Sequence, residues 1–438
     1  MHLLSEHGFG AGGLSARHFR LENGLQIILV RDPGAPILAY QTWFSVGSRH
    51  EKEGTTGIAH LFEHLMFNQT ETHPPGELDR LIESRGGDTN AATWVDWTYY
   101  RNNLPASELA LAVELESDRM AHLVLGDKQV ESEREVVSNE RRQRVEDDVD
   151  GFLSEELYKL AFQTHPYHWP TIGWMSDIQA ITIDDCRTFY RTYYAPNNAT
   201  VVLVGDFDEA DALQRIEKGY GGIPASTLPV ENLPTEPEQT GERRARFQKA
   251  VIADKVRVGY KAPPLPHADY ARLEVASEIL CSGNSSRLHR RLVVESELCT
   301  SVSAGLAPFR DPGLYELSLS MQRGKSGADG EAMLYDELAR FIAAPPTAEE
   351  LTTAKTRLLT RLYRELRAGA GKAEALGHFH VSCGDYRRLF AVADAYSRVT
   401  AEEVREVAQR YLDPQRRTVL TAEPSGEEAD DAEDGEAS

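Results

Sequence analysis

Cysteine is scarce in this sequence: four in 438 residues, at Cys186, Cys281, Cys299 and Cys383. None makes a CxxC pair, and the spacing matches neither a disulfide framework nor a zinc knuckle, so reduced, packed thiols are expected. Apolar runs are short, and none approaches the ~18 residues of a membrane-spanning helix. The opening stretch, residues 1–13, has neither a basic region nor a long apolar one; no secretory signal and a cytoplasmic location are the expectation. Positive charge is also in deficit. With 47 Lys and Arg against 69 Asp and Glu the net charge is −22, which argues against binding nucleic acid by general electrostatics. Part of the excess lies at the end, where Glu423 to Ser438 holds eight acids and no Lys or Arg. Residues 425–438 therefore read as a disordered, solvated tail.

What is present is a globular composition, 41% hydrophobic and 26% charged, in a chain long enough for two or three domains. The chain is written twice, at an offset of 218 residues. Thr182-Ile-Asp-Asp-Cys-Arg187 recurs as Thr400-Ala-Glu-Glu-Val-Arg405, Tyr193 matches Tyr411, Pro196 matches Pro414, and Thr200 and Val201 match Thr418 and Val419. Each copy reads as a Thr N-cap, a helix with an acidic first turn, a Pro breaker and a β-branched strand. The strands are 199–204 and 417–421. Upstream, 25–30 and 39–46 read as strands opening the first half, and 251–259 opens the second. The stretch 226–240 is rich in Pro and polar residues, a linker composition. The expected fold is α/β (α+β): two duplicated domains, each a mainly antiparallel sheet with helices packed on one face. The expected boundaries are 1–225, a linker at 226–247, and 248–424.

The chemistry is concentrated in residues 57–67. Ile58, Leu61, Phe62, Leu65 and Met66 recur at the spacing of a helical core stripe, with Thr55 or Thr56 able to cap its start. His60, Glu63 and His64 fall on the other side, at i, i+3 and i+4, and share a narrow face. Two imidazoles one turn apart can hold one tetrahedral metal, with a carboxylate between them as base. This is the HxxEH order, the inverse of HExxH. A third protein ligand is still needed. The helix 127–143 offers Glu133 and Glu140, seven residues apart and two turns along one face.

These features resemble the pitrilysin/insulinase family of zinc peptidases, and within it the half-length subunits of the mitochondrial processing peptidase β type. The likeness rests on HxxEH, on a downstream Glu-rich helix whose last Glu lies 76 positions after His64, and on further matches. These are Gly86-Gly-Asp-Thr-Asn-Ala-Ala-Thr-Trp-Val-Asp-Trp-Thr-Tyr-Tyr100, His165-Pro-Tyr-His-Trp-Pro-Thr-Ile-Gly173, Tyr194-Ala-Pro-Asn-Asn198, Val204-Gly-Asp206 and Gly283-Asn-Ser-Ser-Arg-Leu288. The resemblance covers about residues 20 to 424. It implies one zinc ion per chain held by His60, His64 and Glu140, Glu63 as general acid and base, and Glu133 supporting the site from behind. It implies that Asn90 and Ala91 lie on an edge strand that pairs with an extended peptide substrate. Asp96, Thr98 and Tyr100 alternate on one strand face, where a satisfied polar role is at least as well supported as catalysis. His165 and His168, beside prolines, read as loop packing, and neither they nor His73, His378 and His380 are assigned to the metal.

The resemblance also implies a partner. Related active sites use an Arg/Tyr pair from a later domain to hold substrate. In the matching register here, Val293 stands in place of Arg and Thr300 in place of Tyr. The expectation is a heterodimer with a homologous subunit that lacks HxxEH and carries Arg/Tyr. The alternative is a non-catalytic scaffold or presenting subunit of the same fold; an HxxEH lyase is a remote third reading, because such folds are short and unduplicated.

Overall fold

The computed structural model describes residues 1–9 and 14–425. The acidic tail expected at 425–438 lies, apart from Ser425, outside the described residues. Seven strands make the first sheet: β1 (His2–Phe9), β2 (Leu14–Arg20), β3 (Gln26–Arg31), β4 (Ile37–Phe44), β5 (Asp88–Thr93), β6 (Thr98–Pro105) and β7 (Ala199–Gly205), in the order β1-β2-β3-β7-β4-β6-β5. Five make the second: β8 (Arg243–Lys249), β9 (Lys255–Lys261), β10 (Cys299–Leu306), β11 (Leu314–Met321) and β12 (Arg417–Pro424), in the order β10-β11-β9-β12-β8. Among the described residues, only β3 with β7 and β8 with β12 run parallel.

The duplication is visible in these orders, since β3-β7-β4-β6-β5 repeats as β8-β12-β9-β11-β10. The helices Ile183–Tyr193 and Ala401–Tyr411 sit at the expected offset. Each is opened by a capping box, Thr182 with Asp185 and Thr400 with Glu403.

The chain packs as two compact units. Unit 1 comprises Met1–Glu140, Trp169–Leu233 and Leu362–Ala391; unit 2 comprises Arg141–His168, Pro234–Arg361 and Val392–Ser438. The sequence repeat and the packing therefore divide the chain differently, because each unit takes one segment from the other half. In unit 1 the repeat's own helices cover one face of the sheet, and Gly369–Cys383 covers the other, against β4 and β7. In unit 2 the covering helix is Val149–Ala161, against β9 and β12.

This double cover explains the composition of β7. Val201 and Leu203 enter the core beneath the repeat's helices, while Val202 and Val204 enter the core beneath Gly369–Cys383. A strand buried on both faces reads as a continuous apolar run, and all seven residues of β7 are buried. Among the described residues no helix is long and apolar enough to cross a membrane.

Candidate metal centre

The helix Ile58–Leu65 is fixed first by its apolar stripe. Ile58, Leu61, Phe62, Leu65 and Met66 are all buried in the unit 1 core, which turns His60, Glu63 and His64 to the opposite side. Its start differs from the expected Thr cap. The N-cap is Gly57, at φ +91 with no side-chain cap bond. Thr56 is committed elsewhere: its Oγ1 donates to Asp177 Oδ2 (2.8 Å) and accepts from Trp174 N (3.0 Å).

The first amides of the helix go instead to Glu51. Its Oε2 accepts from Gly57 N and its Oε1 from Ala59 N, both at 2.8 Å. Burial pushes the Glu51 carboxyl up to about 8, against the pull of those two amides. Gly57 is required by space as well as by φ, since a Cβ there would meet Ile172 O at 2.5 Å. Gly173 faces it, and a Cβ there would meet the Gly57 backbone at 2.5 Å. The loop 165–173 thus ends by packing its backbone directly on the start of the histidine helix.

The second helix, Asp127–Arg141, is held by Val130 and Val137, which are buried in the same core two turns apart. That register carries Glu133 and Glu140 along one side. His64 Nε2 lies 3.4 Å from Glu140 Oε2, and His60 Nε2 lies 3.7 Å from the same oxygen. The two imidazole centroids are 5.0 Å apart. One donor atom from each of His60, His64 and Glu140 falls within 4.8 Å of the others, and among the described residues no other such group of three occurs. Ligands about 2.0–2.1 Å from a tetrahedral zinc are roughly 3.4 Å from one another. The donor set therefore fits zinc in both chemistry and spacing.

Behind it, Glu133 Oε2 lies 3.6 Å from His64 Nδ1, and Glu133 Oε1 accepts from Asn68 Nδ2 at 3.1 Å. Burial works against a charge on His64, but Glu133, Glu140 and Glu63 outweigh it and lift the imidazole to about 9. The bond toward His64 holds Glu133 below the usual carboxylate range. Carboxylates gathered on two imidazoles make a site that favours positive charge.

The other expected residues fall into place around this centre. Asn90 and Ala91 lie on β5, the edge strand of the first sheet, which pairs only with β6. Asp96 is buried against Arg49 Nη1 at 2.9 Å. Thr98 Oγ1 donates to Val46 O, and Tyr100 OH donates to Phe62 O. These three brace the fold. Three residues were missed from sequence: Glu51 and Asp177, which hold the helix start, and Asn68, which holds Glu133. The Asn68 signal was present, since it lies at i+4 from His64; Glu51 and Asp177 gave none, because Glu51 takes backbone amides and Asp177 takes two amides and a hydroxyl more than 120 positions away.

In unit 2, Val293 is half-buried against the core and Thr300 Oγ1 donates to Ser320 O at 3.1 Å. Arg290 bonds Glu295, Arg291 bonds Glu337, and Tyr315 is buried.

Comparison with known proteins shows the family of the chain. The family model described as Insulinase (Peptidase family M16) matches residues 26–173, and that described as Peptidase M16 inactive domain matches 180–358. A protein named zinc protease PqqE, from Helicobacter pylori, is 33% identical over 72% of this chain and 71% of its own length. A mitochondrial-processing peptidase subunit beta, from Lentinula edodes, is 27% identical over 90% of this chain and 86% of its own. The crystal structure of a protease from Helicobacter pylori superposes with a TM-score of 0.89 at 28% identity, covering 93% of this chain and 99% of that one.

Proposed function

The chain belongs to the insulinase family of peptidases, M16, and from that membership we propose that it is the zinc-bearing subunit of a metalloendopeptidase acting on extended peptides or unfolded polypeptide segments. The observation that carries the reading is the convergence of His60, His64 and Glu140 within ligand distance of one another. Zinc held by these three would supply Lewis acidity toward a scissile carbonyl and toward water.

The remaining roles belong to side chains and backbone. Glu63, on the same helix face between the two histidines, takes the proton of the attacking water and later gives it to the leaving amine. Glu133 holds the His64 ring through Nδ1. The edge of β5 at Asn90 and Ala91 pairs with the substrate main chain, which gives affinity for an extended strand with little demand on its sequence. In the matching register, Val293 and Thr300 cannot hold a substrate carbonyl as Arg and Tyr would. We therefore assign that function to a homologous partner subunit that lacks HxxEH and carries Arg/Tyr. A donor of this kind contributes ~10²–10³ in rate, and the isolated chain should be slower by at least that.

The family model described as an inactive domain does not decide for the scaffold reading, since that match covers 180–358 and includes none of His60, Glu63, His64 or Glu140. A digest of a library of unstructured peptides separates the two readings. The chain is assayed zinc-loaded and chelator-stripped, alone and with a homologous subunit that carries Arg/Tyr. Zinc-dependent cleavage that rises with the partner supports the proposal; none in any combination leaves the scaffold.

A further inference from the structure

We propose that Asn68 is a positioning residue of the metal centre, acting through Glu133 on the orientation of His64. The inference rests on the zinc reading above. The helix ends at Leu65, and the chain then turns tightly, with Phe67 N donating to His64 O and Asn68 N to Leu65 O, both at 3.0 Å. Asn68 thereby stays one turn beyond His64 on the same side. The Glu133 carboxylate spans the pair, with Oε1 on Asn68 Nδ2 at 3.1 Å and Oε2 toward His64 Nδ1 at 3.6 Å. Glu140, two turns along the same helix, faces the other ring nitrogen of His64 at 3.4 Å.

Each link in this chain has one chemical sense. A carboxylate accepts only, so Asn68 must present its amide nitrogen and not its oxygen. Glu133, held at one oxygen, keeps the other directed at His64 Nδ1. When the ring is neutral, as a metal ligand must be, its one proton would then stay on Nδ1 and leave Nε2 free for the ion. His64 is the less enclosed of the two histidines, with 24% of its side chain exposed against 9% for His60. His64 therefore depends more on a fixed second contact than His60 does. Without Asn68, Glu133 would turn among its rotamers toward water and the ring would lose its lateral hold.

The test is a double-mutant cycle read by zinc affinity, measured by competition with a chromogenic chelator and independent of peptidase activity. Asn68→Leu, Glu133→Gln and the double variant are compared with the wild type, with Asn68→Ser as a smaller replacement if the leucine disturbs folding. Asn68→Leu is expected to weaken zinc about 10-fold, the lower end of the effect of outer contacts. In the Glu133→Gln background the same change should add less than about twofold, because its route is already cut. Unchanged affinity in Asn68→Leu and Asn68→Ser would overturn the proposal, and so would an equal loss in both backgrounds, which marks a general structural effect. A wild type that binds no zinc, or a Glu140→Gln variant that binds it undiminished, defeats the underlying metal reading instead.

Discussion

In each unit one strand leads on to a helix bearing acid: β4 precedes Ile58–Leu65, and β9 precedes Ala268–Cys281. In unit 1, Ile58–Leu65 sets His60, Glu63 and His64 opposite Glu133 and Glu140, so carboxylates meet imidazoles. In unit 2, the helix Ala268–Cys281 carries Asp269, Glu274 and Glu278, and each has a different kind of partner. Asp269 takes Arg272 at 2.7 Å, Arg410 at 2.5 Å and Tyr411 at 3.0 Å. Glu274 takes Tyr396 OH at 2.5 Å, and Glu278 takes Arg361 at 2.9 Å. Guanidinium and phenol groups neutralise or satisfy these acids permanently, whereas an imidazole can give up its proton to an incoming cation and leave the carboxylates of unit 1 a share in binding it. One architecture thus supports a metal centre in one copy and a braced core in the other, and the difference lies in a few side chains on one helix face.

The largest effect that sharpens this contrast is expected at Glu63. Glu63→Gln should slow peptide cleavage by ~10²–10⁴ with zinc content unchanged, measured by single-turnover kinetics and metal analysis. Full activity in the zinc-loaded variant would remove Glu63 from the chemistry. Next, Glu133→Gln should weaken zinc by ~10–100-fold, and Glu140→Gln by more than that, read by chelator competition. Equal affinities would mean that the two carboxylates are not ligand and support.

In unit 2 the matching experiment targets stability. Arg361→Ala strands the buried Glu278 carboxylate and should cost about 1–3 kcal/mol by calorimetry, with no change in zinc stoichiometry. A loss of zinc there would break the separation between the units.

The smallest effect concerns the covering helices. Gly369–Cys383 in unit 1 carries His378 and His380, both pushed down to about 4 by burial; Val149–Ala161 in unit 2 has no histidine. His18, buried beside His380 and sharing Gln26 Oε1 with it, is lowered as well. Asp385 opposes the shift at His380 and His18, Asp96 opposes it at His378, and Arg387 adds to it at His18. Folded values below the free 6.5 mean that the unfolded chain takes up protons first. The stabilisation is therefore whole above about 6.5 and lost as pH falls toward 4, by up to ~1.4 kcal/mol per pH unit per histidine. All five tryptophans, at 43, 94, 97, 169 and 174, lie in unit 1, so their fluorescence in urea reports that unit. Glu51, raised to about 8 in the same unit, acts in the opposite sense, so the histidine share is read as the difference between His380→Gln and the wild type, the variant's midpoint falling less from pH 7 to pH 5. Equal pH dependence in His380→Gln and the wild type would reject the buried, neutral state of His380.

Much of this was legible in the residues. The offset of 218, the two Thr-opened helices and the apolar run of β7 follow from local patterns, because capping, periodicity and β-branching act within a few positions. The histidine face was legible for the same reason: three residues at i, i+3 and i+4 share a helix face wherever the helix lies. Periodicity also separated His60, Glu63 and His64 from the core stripe that carries them.

What the sequence determined by itself, then, is the repeat, the secondary structure and the donors available from each helix. What only the tertiary structure decided is which distant groups meet. Glu51 and Asp177 hold the helix start in place of the expected threonine, since only packing brings a carboxylate 123 positions away to the amide of Gly54. The exchange of Gly369–Cys383 and Val149–Ala161 between the units was likewise unreadable, because an amphipathic helix states that it must bury a face but not whose sheet will cover it. The pairing of His64 with Glu140 and Glu133 belongs to the same class: the sequence offered two carboxylates, and the packing of Val130 and Val137 into the core of unit 1 set both toward the histidines.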